Sequence, residues 1–226
     1  MPALATTIPP LENGDRLNRW EFERRYHAMP DLKKAELIEG VVFMPSPLHF
    51  GQHAEPHALV MGWLVTYWAA TPGVRVADNA TLRLDADNEF QPDALLCLSE
   101  QASGHASVSE DDYLEGAPEL VVEVAATSAS KDMHDKRKVY RRMGVREYVV
   151  WLVREKRLLW WRLEEGEYRA LEPDADGLLH SRVFPGLALN VQALLDRDVA
   201  RVLAEQQRCL QTEAHQAFVE KLRGVL

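Results

Sequence analysis

Residues 119–125 read ELVVEVA and residues 91–98 read QPDALLCL, and these two short apolar runs are the most informative part of the chain. Each has the length and apolar content of a buried β-strand and is bounded by turn-like residues. The informative carboxylates are Glu123, in the interior of the first run, and Asp93, near the start of the second. Because a buried charge is costly unless it is compensated, the pair predicts one shared partner, and a divalent cation is the simplest.

A single acidic residue at the end of a strand usually lies at an exposed edge or caps an element. Asp93 and Glu123 are more informative, because a helix that contains a lysine directly follows Glu123. Asp132, Lys136 and Tyr140 are spaced by four residues and share one helix face. Lys136 is therefore predicted at a helix surface facing the two carboxylates, where a lysine can position water or offset charge on a phosphate. An ordinary surface lysine is the alternative.

Glu36 and Glu39 are candidates for a third carboxylate, since they flank the apolar pair Leu37 and Ile38. Three residues apart, they face different sides of a strand, so at most one points at the site. The sequence does not decide between them, and a surface role is the alternative for each.

Three histidines, His49, His53 and His57, are spaced by four residues and would form a row on one helix. Gly51 and Pro56 make a continuous helix improbable, so a three-histidine metal site is rejected. His57, at the start of the following helix, remains a candidate for contact with phosphate or with the rim of the site.

The composition fits one globular domain with an appendage: 226 residues, 46% apolar and 27% charged. No apolar stretch approaches a membrane span, and no signal peptide is evident, so a cytoplasmic protein is expected. Cys97 and Cys209 are predicted to be unpaired, as in a reducing cytosol. Zinc-ligand spacing, a glycine-rich phosphate loop and a Gly-x-Ser-x-Gly elbow are all missing from the sequence.

The net charge of −9 argues against general nucleic-acid binding, but the charge is unevenly distributed. Residues 131–162 hold eleven basic and four acidic residues, a net charge of +7 that leaves −16 for the rest. This segment could guide a polyanion, with Arg137, Arg141 and Arg142 as candidate contacts. A solvated helix and hairpin is the alternative.

Periodicity and turn residues predict an α+β fold with a central mixed sheet flanked by helices. Helices are predicted at 15–29 with Asp15 as cap, at 56–70, at 131–143 ending at Gly144, and along the tail from residue 191. Strands are predicted at 36–44 around Gly40, at 74–84, in the two apolar runs, at 146–153, 156–163 and 167–171, and at 178–184. Residues 99–117 are predicted to form a loop or short helix.

Several motifs in fixed order make the chain similar to a known family. They are Glu36-Leu37-Ile38-Glu39-Gly40, Met44-Pro45-Ser46-Pro47, Gln91-Pro92-Asp93, Val121-Val122-Glu123-Val124, and Asp132-x3-Lys136-x3-Tyr140-x3-Gly144-Val145-x-Glu147-Tyr148. Over about residues 15–195 the chain resembles the Uma-type (Uma two) endonucleases, a branch of the PD-(D/E)XK, restriction-endonuclease-like superfamily.

The resemblance implies a mixed β-sheet flanked by helices and a nuclease centre that uses Mg²⁺ or Mn²⁺. By position, Asp93 and Glu123 would bind the metal and Glu36 would be the early glutamate. The superfamily's usual lysine position holds Ala125, and in this branch the lysine has moved to Lys136. Residues 125–128, Ala-Ala-Thr-Ser, lack the proline that family members carry.

The expected function is that of a cytoplasmic, metal-dependent endonuclease acting on double-stranded DNA, with Asp93, Glu123, Lys136 and Glu36 as its catalytic set. A tail at 1–14, a nuclease domain at 15–195 and a C-terminal helix at 196–226 are predicted, the last packing on the domain or pairing two copies as a homodimer. One alternative is a non-catalytic module that binds DNA or a protein partner, which the altered 125–128 loop favours. Another is a purely structural dimer, which leaves the strand carboxylates unexplained.

Overall fold

The computed structural model describes residues 8–44, 47–126 and 128–226. The first seven residues of the predicted tail, Pro45 and Ser46 of the family motif, and Thr127 lie outside these ranges. The helices are α1 Arg19–His27, α2 Glu55–Ala70, α3 Ala129–Lys131, α4 Arg137–Met143, α5 Val191–Leu195, α6 Val199–Cys209 and α7 Glu213–Arg223. Two π-helical segments, Phe50–Ala54 and Asp132–Lys136, run directly into α2 and α4, and a 3₁₀ turn covers Glu100–Ala102.

Fourteen strands are present in the described part of the chain. They are β1 Glu36–Ile38, β2 Val41–Phe43, β3 Val74–Asp78, β4 Leu82–Asp85, β5 Asn88–Phe90, β6 Ala94–Leu98, β7 Ala106–Val108, β8 Leu114–Gly116, β9 Leu120–Ala125, β10 Glu147–Leu152, β11 Arg157–Glu164, β12 Glu167–Ala170, β13 Leu178–His180 and β14 Ala188–Asn190. The fold class is therefore α+β, as the sequence predicted.

The central sheet has six strands in the order β12-β11-β10-β9-β6-β3. Only β9 and β10 are parallel, and the α3–α4 helical segment forms the crossover between them. Every residue of β9 and β10 is buried, which explains why they are continuous apolar runs and not alternating ones. A second six-stranded sheet, β2-β1-β5-β4-β8-β7, and the β13–β14 hairpin complete the architecture.

Alternate residues of β9 pack into two different cores. Leu120, Val122 and Val124 join a core built with α2 and the C-terminal helices. Val121 and Ala125 face a core that α4 and the second sheet complete. The alternation places Glu123 on this second side, between the two sheets and beneath α4.

Three predicted elements differ from the structure, and one further strand was not predicted. Helix α1 begins after Asn18, whose side chain accepts a hydrogen bond from the Glu21 amide, and not at Asp15. The segment 99–117, predicted as loop or short helix, contains β7 and β8 as well as the 3₁₀ turn. The predicted strand at 178–184 ends at His180, and β14 was not predicted.

The predicted single helix at 196–226 is two helices, α6 and α7, separated at Leu210 to Thr212. Their apolar faces pack onto the domain, with Val202 and Leu222 in the main core. Gln206 is fully buried there and receives a hydrogen bond of 3.0 Å from the indole of Trp63. Cys97 and Cys209 are buried free thiols. Within the described ranges, no helix is long and apolar enough to cross a membrane.

Candidate active site

The site is organised by the pairing of β6 with β9. Ala94 lies opposite Val122 in this antiparallel ladder, so Asp93, the residue before β6, comes next to Glu123. The Val124 amide donates a 2.7 Å hydrogen bond to Asp93 Oδ2 and fixes that carboxylate. Asp93 is 5% exposed and Glu123 is 3% exposed. The predicted convergence of these two carboxylates is therefore present, at one end of the central sheet.

Lys136 reaches the carboxylates from the π-helical segment of the crossover. Its Nζ donates to Glu123 Oε1 at 2.9 Å and to Glu36 Oε1 at 2.8 Å, and lies 3.7 Å from Asp132 Oδ1. The expectation of a helix-surface position is wrong, because Lys136 is only 3% exposed. Burial opposes its charge, but the surrounding carboxylates outweigh burial and raise the pKa of the Lys136 amine well above its usual value.

Glu36, and not Glu39, points into the site. Glu36 lies in β1, accepts hydrogen bonds from Lys136 and from the Gln91 amide, and is buried. Burial works against its charge, yet the nearby lysines hold the pKa of the Glu36 carboxyl below its usual range. Glu39 lies in the β1–β2 turn and pairs on the outside with Lys138 and Arg142.

Glu123 lies at the centre of the site, among three other carboxylates and Lys136. Burial raises the pKa of its carboxyl to about 8, against the opposing effect of Lys136 and with support from Asp132, Asp93 and Glu36. The Tyr140 hydroxyl donates to the same Oε1 atom that accepts from Lys136. None of the described residues donates a hydrogen bond to Oε2, so this oxygen is available to a ligand.

A histidine that the sequence analysis did not select completes the surroundings of Asp93. His53 Nε2 lies 3.2 Å from Asp93 Oδ1, while its Nδ1 is buried with no hydrogen-bond partner among the described residues. His57 Nε2 contacts the backbone oxygen of Asp93 at 2.8 Å. Burial opposes the charge of Asp93, but His53 and Lys34 together hold the pKa of its carboxyl below the usual range.

The expectation that Gly51 and Pro56 interrupt the helix carrying these histidines is wrong. The π-helical segment Phe50–Ala54 continues into α2, so His53 and His57 share one helix with ring centroids 5.8 Å apart. Gly51 and Pro56 are both accommodated, Pro56 because it lies in the first turn of α2. The i, i+4 spacing of the histidines was the signal that could have identified His53.

A cavity of about 500 Å³ opens onto these groups. Three lysines that sequence analysis did not single out as site residues lie on its walls: Lys33, Lys34 and Lys131. Lys34 donates to Gln91 O at 2.7 Å and lies 3.9 Å from Asp93 Oδ1. Lys131 lies 4.2 Å above the ring of Phe43. These lysines place positive charge on the walls of a cavity that is also lined by the site carboxylates.

The predicted basic contacts lie outside the cavity and are engaged with the protein's own groups. Arg141 pairs with Glu167, and Arg142 pairs with Glu39 and Asp85. Arg137 lies 5.0 Å above the ring of Trp161. The positive excess of residues 131–162 is therefore partly neutralised by carboxylates from elsewhere in the chain.

The donor set fits a hard divalent cation that keeps part of its water shell. No three His, Cys, Asp or Glu side chains converge as a preformed metal cage within residues 8–44, 47–126 and 128–226. Asp93 and Glu123 are nevertheless adjacent, oxygen-bearing and surrounded by further carboxylates. Mg²⁺ is usually held by one or two carboxylates together with water and substrate phosphate, so two such ligands suffice.

Comparison with known proteins identifies one family. The profile of the Uma2 family, described as "Putative restriction endonuclease", matches residues 20–192. A solved structure described as "a putative nuclease belonging to DUF820 from Anabaena variabilis ATCC 29413" superposes with a TM-score of 0.59 at 16% identity, covering 76% of this chain and 96% of the other. At this identity the superposition establishes a shared fold. None of the curated proteins matches this chain.

Proposed function

Because this chain belongs to the Uma2 family, we propose that it is a nuclease that hydrolyses phosphodiester bonds of DNA with a divalent cation, Mg²⁺ or Mn²⁺. The observation that carries this proposal is the buried contact of Lys136 Nζ with both Glu36 and Glu123. A buried lysine held by carboxylates next to a second strand carboxylate, Asp93, is costly to build for stability alone. It suits a site that handles a phosphate.

Asp93 and Glu123 would hold the cation, through the Asp93 carboxylate and the free Oε2 of Glu123. When bound, such an ion supplies Lewis acidity toward the phosphate and lowers the pKa of a water ligand. The burial of both carboxylates excludes bulk water and strengthens every charge interaction at this position.

The chain's own residues have separable roles in this proposal. Lys136 is held in its charged form by its neighbours, so it would donate hydrogen bonds to the phosphate or to the attacking water and would not accept a proton. Glu36 orients the Lys136 amine. His53 orients the Asp93 carboxylate, and Lys34 adds positive charge on the same side.

Outer contacts to DNA are proposed for Arg137, Arg141, Arg142 and His57. The three arginines would exchange their present partners for phosphates, and such exchange makes DNA affinity fall with salt concentration. His57 lies against Asp78 and the Asp93 backbone, at the edge of the site. We further propose that the protein acts in the cytoplasm.

The test is a cleavage assay of the purified protein on plasmid and oligonucleotide DNA with Mg²⁺, with Mn²⁺ and with a chelator. We expect cleavage with either metal and none with the chelator. Glu123→Gln and Asp93→Asn should abolish it, and Lys136→Ala should lower it by about 100-fold or more. Lys138→Ala, which removes only an exposed pair, is the matched control.

Three results would count against the proposal. Cleavage that survives the chelator would remove the metal from the mechanism. Cleavage that survives Glu123→Gln would remove the site. DNA binding without cleavage under all conditions would favour the non-catalytic module.

Pairing of two copies is proposed as well, because a dimer would place two centres on one DNA molecule. The tail already covers its apolar face on its own domain, so the exposed Val65 and Trp68 of α2 are the better candidates for the contact. Light scattering at micromolar concentration should give twice the monomer mass, and Trp68→Glu should return it to the monomer. A monomeric wild-type protein would contradict the pairing.

A further inference from the structure

The mouth of the active-site cavity combines exposed apolar side chains with lysines. Leu48 is 66% exposed and Phe50 is 76% exposed, although both are large and apolar. Leu48 lines the cavity, and Phe50 lies in the chain between the lining residues His49 and Gln52. A phenylalanine this exposed contributes little buried area to folding, and its ring is accessible beside the cavity.

Positive charge lies on the same walls. Lys33 and Lys131 line the cavity, and within the described ranges neither forms an ion pair with an acidic side chain. This distinguishes them from Arg141 and Arg142, which carboxylates already neutralise. Lysine charge beside an exposed aromatic ring is the combination by which proteins hold unpaired nucleic-acid strands, because phosphates meet the charge and bases stack on the ring.

The depth of the site limits what can reach it. Asp93, Glu123 and Lys136 are each 5% exposed or less and lie at the inner end of a cavity of about 500 Å³. A cavity of this size has the volume of a small-ligand pocket, and nucleotides enter such pockets when they are unpaired or flipped from the duplex. An unpaired strand is flexible enough to bring a backbone phosphate to the inner end of such a cavity.

From these observations we infer that the substrate strand is unpaired where it is cut: single-stranded DNA, or the unpaired part of a flap or bubble. Phe50 and Leu48 receive the bases next to the scissile phosphate, and Lys33 and Lys131 receive the flanking phosphates. This inference rests on the proposed nuclease function and replaces the expected double-stranded substrate.

The test compares three labelled DNAs of the same sequence: single strand, full duplex, and duplex with a central unpaired bubble. Binding is measured by fluorescence anisotropy with Glu123→Gln in chelator, so that cleavage does not interfere, and cleavage is measured in parallel with wild type and Mg²⁺. We expect single-strand and bubble DNA to bind about tenfold or more tightly than duplex, with cuts mapping to the unpaired region.

The variant Leu48→Ala/Phe50→Ala should lose about tenfold in affinity for single-strand DNA and little for duplex. Trp20→Ala, which removes another exposed aromatic ring, from α1 and outside the cavity lining, is the matched control and should leave both affinities unchanged. Circular dichroism verifies that the variants are folded.

The outcomes separate this inference from the function on which it rests. Metal-dependent cleavage of duplex at the single-strand rate would leave the nuclease proposal standing and overturn the inference. An unchanged affinity in Leu48→Ala/Phe50→Ala would also overturn it. Neither binding nor cleavage of any of the three DNAs would overturn the nuclease proposal, and the inference with it.

Discussion

At the scale of single residues, the carboxylates and their lysine could be identified from the sequence, but their burial could not. Asp93, Glu123 and Lys136 come together as the strand pattern and helix spacing indicated. The choice of Glu36 over Glu39 required the structure, because it depends on where β1 ends. Glu39 has a positive φ of 50° and turns the chain outward immediately after β1.

Lys136→Ala should lower stability as well as activity. Removal of the amine leaves Glu36, Glu123 and Asp132 buried without their shared positive partner, and such a loss costs about 3–5 kcal/mol. Urea unfolding at neutral pH without metal measures it. Lys138→Ala should change the free energy of unfolding by about 0.5 kcal/mol or less, and equal effects of the two substitutions would contradict the prediction.

Glu89 gives a prediction for pH dependence away from the site. Burial raises the pKa of its carboxyl to about 9, with Glu23 adding to the rise and Arg83 opposing it. The pKa of glutamate in an unfolded chain is about 4.3. The raised value favours the protonated, folded form, so its contribution to stability is complete below pH about 4.3 and is lost as pH rises to about 9.

Glu89→Gln, which fixes the neutral form, should therefore flatten this dependence. The difference in melting temperature, variant minus wild type, should rise steadily from pH 5 to pH 9. Thermal unfolding under the same protocol at each pH measures it. The exposed Glu110→Gln is the control. A difference between Glu89→Gln and wild type that is constant with pH would show that Glu89 is ionised in the folded protein.

At the scale of elements, strongly apolar segments were predicted well, whereas short strands and interrupted helices were not. The core strands β9 and β10 and the helix α2 were visible because their residues are almost all apolar. The strands β7 and β8 have three residues each, and only one of the three is buried in each. Strands this short and exposed show no clear alternation or run of apolar residues in the sequence. They are defined by their pairing with neighbouring strands.

Replacing two glycines of the helices by alanine should change the stability of the protein in opposite directions. Gly144 ends α4 in the left-handed region with φ 87°, so Gly144→Ala should destabilise by about 1 kcal/mol. Gly62 lies inside α2 with open space at its Cβ position, so Gly62→Ala should stabilise by about 0.5–1 kcal/mol. Thermal unfolding of the two variants measures both, and shifts of the same sign would refute the assignment.

At the scale of the whole molecule, the tail is part of the core. The sequence left open whether it packs on the domain or pairs copies, since apolar spacing does not say which surface it covers. Gln206 of α6 accepts hydrogen bonds from Trp63 and the Ala188 amide and donates to Gly186 O. The segment outside the family match at 20–192 thus connects α2 to β14.

Gln206→Ala should consequently destabilise the whole protein in a single transition. Loss of the amide leaves buried backbone groups without partners, which costs about 1–3 kcal/mol. Its exposed neighbour Gln207→Ala should have little effect. Denaturant unfolding, monitored by tryptophan fluorescence, measures this loss of stability. A separate early transition of the tail alone would contradict its integration with the core.

The two π-helical segments have a consequence for how this site tolerates insertions and deletions. A π turn holds one residue more than an α turn, and here both helices that carry site residues, His53 and Lys136, have such a turn at that point. Removing the surplus residue, for example by deleting His134, would restore a regular helix and shorten the spacing between Asp132 and Lys136 from four residues to three. Positions three apart still lie on one side of a helix, so Asp132 would stay beside Lys136 but at a changed distance from its amine. Relatives that differ by a single-residue gap here are thus expected to fold alike and to differ in chemistry.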